Sequence, residues 1–433
     1  MTRKKDIFRQ YIERFARFEQ QLQDSPDPSL QTIITIPCLN EPNVMETLDA
    51  LYTCDRPEHP AEVLIGINHS ANAPEEVKEY NEATYRQIEE WSQQHADEKL
   101  RFYPLYYPDI KPKIAGVGTA RKAVMDEAIY RFSQTGNSDG IIVCLDADCQ
   151  IDRNYLRALE SHFSENPKTP GCSIYFEHPL EGPGREEEYR AILDFELYLR
   201  YYKNAFYWAR FPYAYHTIGS CMAARADAYM KVGGMNKQQA GEDFYFLEKL
   251  IYQGHFTELN ETRVIPAPRK SLRVPFGTGQ AVTDYIEDDV EELKVFDPQL
   301  YYAVRTFVEK VPALWHLDPG RPEAFLSQLP DVFRNFLGHY DFIYYWRESQ
   351  KHAADEQSFL RRFFQWFDAF MALKFLHYGR NYYHPNIPVS EATGWLLGRF
   401  DLKPDANNKQ DMLKALRAFD KKGTGKPNKR VPF

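Results

Sequence analysis

The segment IIVCLDADCQ, residues 141–150, sets an apolar run directly against two aspartates, Asp146 and Asp148, separated by one alanine. In an extended strand, residues i and i+2 point to the same face, so the two carboxylates are predicted to project together. Two carboxylates that close repel each other unless a cation balances them. Mg²⁺ and Mn²⁺ bind such hard oxygen ligands, often together with phosphate oxygens. An isolated pair of this kind also occurs as the solvated end of a strand, so the flanking sequence has to decide.

Apolar runs alternate with helical stretches on the amino-terminal side of this segment. TIITIPCLN (32–40), EVLIGIN (62–68) and RFYPLYY (101–107) are each followed by a stretch of helical periodicity. The alternation predicts the α/β class, with a mixed, mostly parallel sheet flanked by helices on both faces. Ligands of such sheets bind at the carboxyl ends of the strands. Three polar clusters fall there: Asn40-Glu41, Asn68-His69-Ser70 and Asp146-Ala147-Asp148.

The length of 433 residues predicts more than one folding unit, because single cores stop growing at about 250 to 300 residues. From about residue 290 the strand signals fade and apolar residues recur at spacings of three and four, which predicts helices. The predicted divisions are an amphipathic amino-terminal helix (1–30), an α/β domain (31–289), a helical domain of unknown role (290–420) and a basic tail (421–433). The tail is expected to be solvated, with docking to an anionic membrane as the alternative.

Composition narrows the class of protein. A net charge of −9 argues against nucleic acid as the main partner, because that affinity depends on basic side chains. Six scattered cysteines without a C-x-x-C pair predict free thiols in a reducing compartment. No apolar h-region and no window of about 18 to 20 apolar residues is present, so we expect a cytoplasmic protein, at most peripheral at the inner membrane face. The 29 Tyr, 29 Phe and six Trp suit either stacking on sugars or bases or the filling of a helical core.

A glycine-containing loop leads into a predicted helix in GVGTARKAVMDEA (116–128). Thr119 is predicted to cap that helix, and Arg121 and Lys122 lie in its first turn. Cations are disfavoured at the positive end of a helix, so this placement favours an anionic ligand, with ordinary surface residues as the alternative. Arg121 is the expected contact because its planar guanidinium suits phosphate or ribose oxygens.

An acidic pair, Glu242 and Asp243, begins another predicted helix in AGEDFYFLEKL (240–250). The helix dipole stabilises acids in a first turn whether or not they have a further role. The functional alternative is a carboxylate that accepts a proton from an attacking hydroxyl group.

The ordered set TIPCLNE, ARK, LDADCQI, GGMN and GEDFYFLEKL resembles the family-2 glycosyltransferases, which have the Rossmann-like GT-A nucleotide-sugar fold. Each motif is weak alone, but the set in this order is specific and covers about residues 31–275. The resemblance implies a metal-dependent, inverting transfer of a sugar from a nucleoside diphosphate sugar of the UDP or GDP type. The implied acceptor is a hydroxyl group of a saccharide or of a lipid-linked molecule.

Donor contacts follow from the resemblance. Pro37, Asn40 and Glu41 match the family segment that contacts the base or ribose. Arg121 matches the arginine of the family's Ala-Arg-Asn motif, which implies a donor contact. Asp146 is expected to contact the donor as well.

Metal binding and proton transfer are implied in the same way. Asp146 and Asp148 match the D-x-D motif, which implies a Mg²⁺ or Mn²⁺ bridge to the donor diphosphate, with Asp148 as the expected direct ligand. Glu242 and Asp243 match the family's Glu-Asp pair, which implies that Asp243 is the general base.

The chain departs from the family pattern at several positions. Lys122 replaces the family's Asn, and INHSAN replaces an Asp-rich turn, so that Asn68 would have to serve the base. The segment APRKSLRVPFGTGQA (267–281) is similar to a flexible loop that closes over the donor. Arg269 or Arg273 is predicted to reach the diphosphate from it, with a solvated loop as the alternative.

Two other functions have to be compared with glycosyl transfer. A sugar-phosphate nucleotidyltransferase would need a longer glycine-rich loop with Arg and Lys after the first strand, and PCLNEPN lacks it. A non-catalytic nucleotide-sugar-binding module would be expected to have lost one acidic pair, whereas both are present.

Overall fold

The computed structural model describes residues 2–236, 241–270, 277–405 and 408–423. The chain forms two compact units: Met1–Gly184 with Thr217–Thr283, and Arg185–His216 with Asp284–Phe433. The segment 185–216 thus clusters with the carboxyl-terminal residues. The division into functional domains at residues 31, 290 and 421 remains a prediction.

An eight-stranded sheet in the order β3-β2-β1-β4-β7-β6-β8-β5 forms the core of the first unit. Its strands are β1 (Thr32–Cys38), β2 (Ala61–Ser70), β3 (Leu100–Ile110), β4 (Ile141–Cys144), β5 (Gln150–Ile151), β6 (Gly171–Phe176), β7 (Met222–Arg225) and β8 (Thr257–Ile265). Neighbours among β3, β2, β1 and β4 pair in parallel, as do β6 and β8. β7 is antiparallel to β4 and β6, and β5 is antiparallel to β8. The predicted α/β class with a mixed, mostly parallel sheet is confirmed.

Helices connect and cover these strands. They are α1 (Thr2–Phe15), α2 (Val44–Tyr52), α3 (Glu75–Gln94), α4 (Val117–Thr135), α5 (Tyr155–Glu165), α7 (Ala226–Lys231) and α8 (Glu242–Tyr252), with α6 (Glu186–Trp208) between β6 and β7 in the chain. All four residues of β4 are buried, as expected for an Ile- and Val-rich strand with neighbours on both sides. The strands therefore bring their carboxyl ends to one edge of a buried sheet.

Two sequence predictions about helix ends are wrong. The amphipathic amino-terminal helix is predicted within residues 1–30, but α1 ends at Phe15. Thr119 does not cap α4, which begins after Gly116; its hydroxyl donates to the carbonyl of Ile114 at 2.5 Å. Beyond α1 a tertiary contact overrides the local pattern, because Glu127 on α4 accepts from the amides of Gln21 and Leu22.

The second unit contains α6 and the carboxyl-terminal helices, so the predicted helical region is confirmed. They follow α9 (Thr278–Glu287) and are α10 (Pro298–Lys310), α11 (Glu323–Leu326), α12 (Asp331–Leu337), α13 (Phe342–Lys351), α14 (Glu356–Trp366), α15 (Ala369–Tyr382), α16 (Val389–Arg399) and α17 (Lys409–Lys421). A 3₁₀ turn (Val311–Trp315) and a two-stranded ribbon of β9 (Lys294–Val295) and β10 (Ile387–Pro388) complete it.

Aromatic rings make up much of the core of this unit. Phe333 lies with its ring centroid 4.2 Å from that of Phe307 and 4.3 Å from that of Phe375, and all three side chains are buried. The high aromatic content of the sequence therefore serves, in large part, to fill a helical core.

A buried group of charges joins α6 to α17. Asp420 accepts hydrogen bonds from Arg200 at 2.6 Å, Asn204 at 3.0 Å and Lys203 at 3.3 Å. Burial alone would raise the pKa of Asp420, but Lys203, His216 and Arg200 hold it well below its usual range. The carboxylate is therefore ionised and compensates two buried cations.

All six cysteines are free and buried, as their spacing predicts. Among the residues described above, no helix combines the length and the apolar character needed to cross a membrane.

Replacing Asp420 with Asn is expected to lower the free energy of unfolding of the second unit by about 3 to 5 kcal/mol, because the buried carboxylate charge that faces Arg200 and Lys203 would be lost and Arg200 would keep only its pair with Glu196. Urea denaturation measures this change. The control is Asp411→Asn on the same helix, whose exposed pair with Lys414 is expected to contribute less than about 1 kcal/mol. A loss no larger than that of the control would contradict the prediction.

Candidate functional site

The carboxyl ends of β1 and β4 lie side by side because the two strands are adjacent and parallel. Thr35 is in register with Cys144, and the amide of Leu145 donates to the carbonyl of Thr35 at 3.1 Å. Beyond this point the segment after β1 carries Glu41, and the segment after β4 carries Asp146 and Asp148. The topology thus brings two of the predicted polar clusters to one edge of the sheet.

The extended-strand geometry predicted for Asp146 and Asp148 is wrong. β4 ends at Cys144, and the two aspartates lie in a turn in which the amide of Cys149 donates to the carbonyl of Asp146 at 3.2 Å. The hydroxyl of Thr47 on α2 holds this turn by donating to the carbonyl of Ala147 at 3.0 Å. The two carboxylates consequently pair with different arginines.

Arg121 pairs with the first aspartate and with the second acidic motif. Its Nη2 donates to Asp146 at 2.7 Å, its Nε to Glu242 at 2.9 Å and its Nη1 to the carbonyl of Gly219 at 2.7 Å. The side chain is 5% exposed, whereas that of Asp146 is 36% exposed. Burial lowers the pKa of Arg121, but Asp146 and Glu242 outweigh it and raise the pKa above its ordinary value. A permanent buried cation therefore links three segments that are far apart in the sequence.

Gly219 is the position at which the backbone comes closest to this guanidinium. A Cβ atom on Gly219 would lie 2.5 Å from Nη2 of Arg121, 2.7 Å from its Cζ and 3.1 Å from Oδ2 of Asp243. Only glycine leaves room there for the arginine and the carboxylate together.

Asp243 lies in the first turn of α8, as the sequence predicts. Its Oδ1 accepts from the amide of Phe244 at 2.7 Å. Burial first and the neighbouring Glu242 second raise the pKa of Asp243 to about 6, against the opposing effect of Arg121. A carboxylate with this pKa is ionised at neutral pH and more basic than an ordinary aspartate.

Arg269 pairs with the second aspartate. Its Nη2 donates to Oδ2 of Asp148 at 3.0 Å and to the two carboxylate oxygens of Glu41 at 2.6 and 2.5 Å. Burial, Asp146 and Glu41 raise the pKa of Asp148, and Arg269 opposes them. Of the two arginines predicted to reach the site from this segment, Arg269 lies in it, and Arg273 falls outside the described residues.

The remaining predicted donor contacts have structural partners. The side-chain amide of Asn68 donates to the carbonyls of Cys38 and Gly66 at 3.0 and 3.2 Å. Asn40 is exposed with a φ of 46°. Its backbone amide donates to the side-chain oxygen of Asn81 at 2.8 Å. Asn81, which the sequence analysis did not single out, is buried within α3 and shapes this turn.

Two further residues complete the account of the predicted site. Pro37 lies in β1, in register with Gly66 of β2. Lys122 does not face the site: its buried Nζ donates to Asp126 at 3.1 Å and to the hydroxyl of Tyr11 at 3.0 Å. Of the two basic residues in this turn, only Arg121 therefore remains a predicted contact for an anionic ligand.

The residues that the structure describes supply only part of a ligand set for a divalent cation. In the described ranges, no group of three or more His, Cys, Asp or Glu side chains is arranged to hold a metal ion. The carboxylates of Asp146 and Asp148 nevertheless fit Mg²⁺ or Mn²⁺ chemically, because these ions are commonly held by one or two carboxylates with phosphate oxygens and water. Their roles as ligands remain a prediction.

Comparison with known protein families and with curated proteins yields no match for this chain. Among solved structures, S. aureus TarS 1-349 in complex with UDP-GlcNAc aligns with 77% of this chain and 91% of its own, at 11% identity and a TM-score of 0.39. The mannosyltransferase PcManGT from Pyrobaculum calidifontis, in complex with GDP-Man and Mn²⁺, aligns with 98% of this chain and 96% of its own, at 13% identity and a TM-score of 0.34.

A Gly219→Ala substitution is expected to displace the guanidinium of Arg121 from Asp146 and Glu242 and to lower the free energy of unfolding by about 1 to 3 kcal/mol through overpacking. Chemical denaturation measures the change. Gly398→Ala on α16 is the matched control: no atom lies within 4 Å of a Cβ there, so we expect a gain of about 0.5 to 1 kcal/mol. Equal effects at the two glycines would show that Gly219 is not constrained by the arginine.

Proposed function

We propose that this chain is a glycosyltransferase that moves a sugar from a nucleoside diphosphate sugar to a hydroxyl acceptor with inversion at the anomeric carbon. The observation that carries the proposal is the single guanidinium of Arg121, which holds Asp146 of the first acidic motif at 2.7 Å and Glu242 of the second at 2.9 Å. Two motifs that only a resemblance links in the sequence thus share one buried cation. The first unit is accordingly proposed to be a GT-A domain.

Asp243 is the proposed general base. The acceptor oxygen attacks the anomeric carbon, its proton passes to the Asp243 carboxylate, and the bond from that carbon to the diphosphate breaks. The raised pKa of about 6 supports this role, because a base with a pKa near the working pH is largely ionised and still accepts a proton well. The hydrogen bond from the Phe244 amide fixes the orientation of the carboxylate.

Asp146 and Asp148 are proposed to hold Mg²⁺ or Mn²⁺, which when bound supplies positive charge to the departing diphosphate. Glu41, together with Pro37 and Asn40, remains a proposed contact to the base or ribose. The proposed donor is of the UDP or GDP type, and the proposed acceptor is a saccharide or a lipid-linked molecule. A cytoplasmic location, with peripheral membrane contact at most, belongs to the same proposal.

Activity is expected to require both a divalent cation and Asp148. A thermal-shift panel of UDP, GDP and their sugars with Mn²⁺ first identifies the donor, because a ligand that binds only the folded state raises the melting temperature. Hydrolysis or transfer of that donor is then measured for the wild type, for the wild type with EDTA and for Asp148→Ala, with the exposed Glu46→Gln on α2 as control. We expect the activity to fall at least about 100-fold when EDTA is added to the wild type and in Asp148→Ala. Full activity in either would overturn the metal role, and binding without turnover over any acceptor would favour a non-catalytic module.

The pH dependence of kcat/KM is expected to report Asp243. Below pH 6 the carboxyl group becomes protonated, so kcat/KM should fall about tenfold per pH unit, and above pH 6 it should level off. Asp243→Asn should lower kcat by about 100- to 10,000-fold and abolish this acidic limb. A limb that persists in the Asn variant would assign the proton transfer to another group.

A further inference from the structure

Arg269 uses its guanidinium in an unusual way. A single nitrogen, Nη2, lies 2.6 and 2.5 Å from the two carboxylate oxygens of Glu41 and 3.0 Å from Oδ2 of Asp148. Arginine normally binds carboxylates through a fork of two nitrogens. Here one positive centre is surrounded by three carboxylate oxygens, which is the arrangement that a small cation adopts.

The rest of the guanidinium supports this description. Nε of Arg269 is buried and has no hydrogen-bond partner in the part of the chain that the structure describes. An unpaired buried donor is unfavourable, so the position of the side chain is set by the attraction of Nη2 to the carboxylates rather than by complete hydrogen bonding. Glu41 is 2% exposed and Asp148 is 22% exposed, so water screens their mutual repulsion poorly.

The oxygens around Nη2 lie at hydrogen-bond distances, which are longer than the about 2.1 Å that Mg²⁺ requires. A divalent cation bound by Asp148 would therefore lie close to the positive centre that Nη2 now supplies. Two cations at one carboxylate repel each other, so a divalent cation bound by Asp148 weakens the contact between Arg269 and that carboxylate.

Resting on the function proposed above, we propose that Arg269 is a built-in counter-cation of the metal site that sets the affinity of the free protein for the divalent cation. It balances Glu41 and Asp148 until the metal enters, and binding of the metal works against its contact with Asp148. Arg269 is thus a positioning residue that weakens the binding of the metal alone. It favours binding of the metal together with the diphosphate, because a guanidinium displaced from Asp148 can pair with the negative charge of the diphosphate.

The test is the affinity for Mn²⁺ alone, without nucleotide, measured by titration with electron paramagnetic resonance detection of free Mn²⁺. Arg269→Met should bind Mn²⁺ at least about tenfold more tightly than the wild type, which corresponds to about 1.4 kcal/mol. Arg269→Lys keeps the positive charge and should stay within about threefold of the wild type. Adding Asp148→Asn to Arg269→Met should abolish the gain in Mn²⁺ affinity. That result would show that the gain arises from the carboxylate of Asp148.

The matched control is Arg263→Met. Arg263 lies on β8 in the same unit and also bridges two carboxylates, but with three nitrogens: Nη1 donates to Glu177 at 2.8 Å, and Nη2 and Nε donate to Asp152 at 3.0 and 3.3 Å. Its side chain is 32% exposed, close to the 27% of Arg269. Removal of this arginine should leave the Mn²⁺ affinity unchanged, and circular dichroism establishes that each variant is folded.

The outcomes separate this inference from the proposed function. Equal Mn²⁺ affinity of the wild type and Arg269→Met would overturn the inference and leave the metal-dependent transfer standing. A tighter Arg263→Met would also overturn it, because a general change in charge would then explain the effect. If none of the proteins binds Mn²⁺, with or without UDP or GDP, both the inference and the metal role of Asp148 fail.

Discussion

Repulsion between carboxylates is the physical constraint that organises the first unit around its sheet edge. Glu41, Asp146, Asp148 and Glu242 come from three separate segments, and the fold brings them together at one edge of the sheet, where Glu41 and Glu242 are buried. Acids gathered in this way would raise each other's pKa and destabilise the fold if they stayed unpaired. Arg121 and Arg269 relieve the repulsion from two sides, so that the stability of the edge and the chemistry proposed for it depend on the same two guanidinium groups.

The two arginines differ in how firmly they are held. Arg121 uses three nitrogens on three acceptors and is 5% exposed, so it is part of the scaffold. Arg269 uses one nitrogen and is 27% exposed. In the proposed mechanism Arg121 stays fixed while Arg269 gives way to the metal ion. The site would keep its shape as its charge changes, because Arg121 holds the turn after β4 and the start of α8 with or without the metal.

Much of the architecture could be predicted from the sequence, since alternating apolar runs and helical periodicity report burial directly. The sheet, the carboxyl-terminal helices and the start of α8 at Glu242 are examples. Spacing could also suggest which acids converge, because parallel strands end at a common edge. It could not show that Asp146 and Asp148 lie in a turn, that Lys122 is buried against Asp126, or that Gly219 makes room for Arg121. Those features depend on side-chain packing between distant segments, for which a single sequence contains no periodic signal.

The buried charges of α6 have a consequence for how the chain is made. Arg200 precedes its partner Asp420 by 220 residues. At the usual rates of translation of about 5 to 20 residues per second, about 10 to 40 s pass between the synthesis of the two side chains. During that interval the contact of Arg200 with Asp420 cannot form, whereas its contact with Glu196 on the same helix can. The strands on either side of α6 are all synthesised before α17, so they can pair before that helix exists.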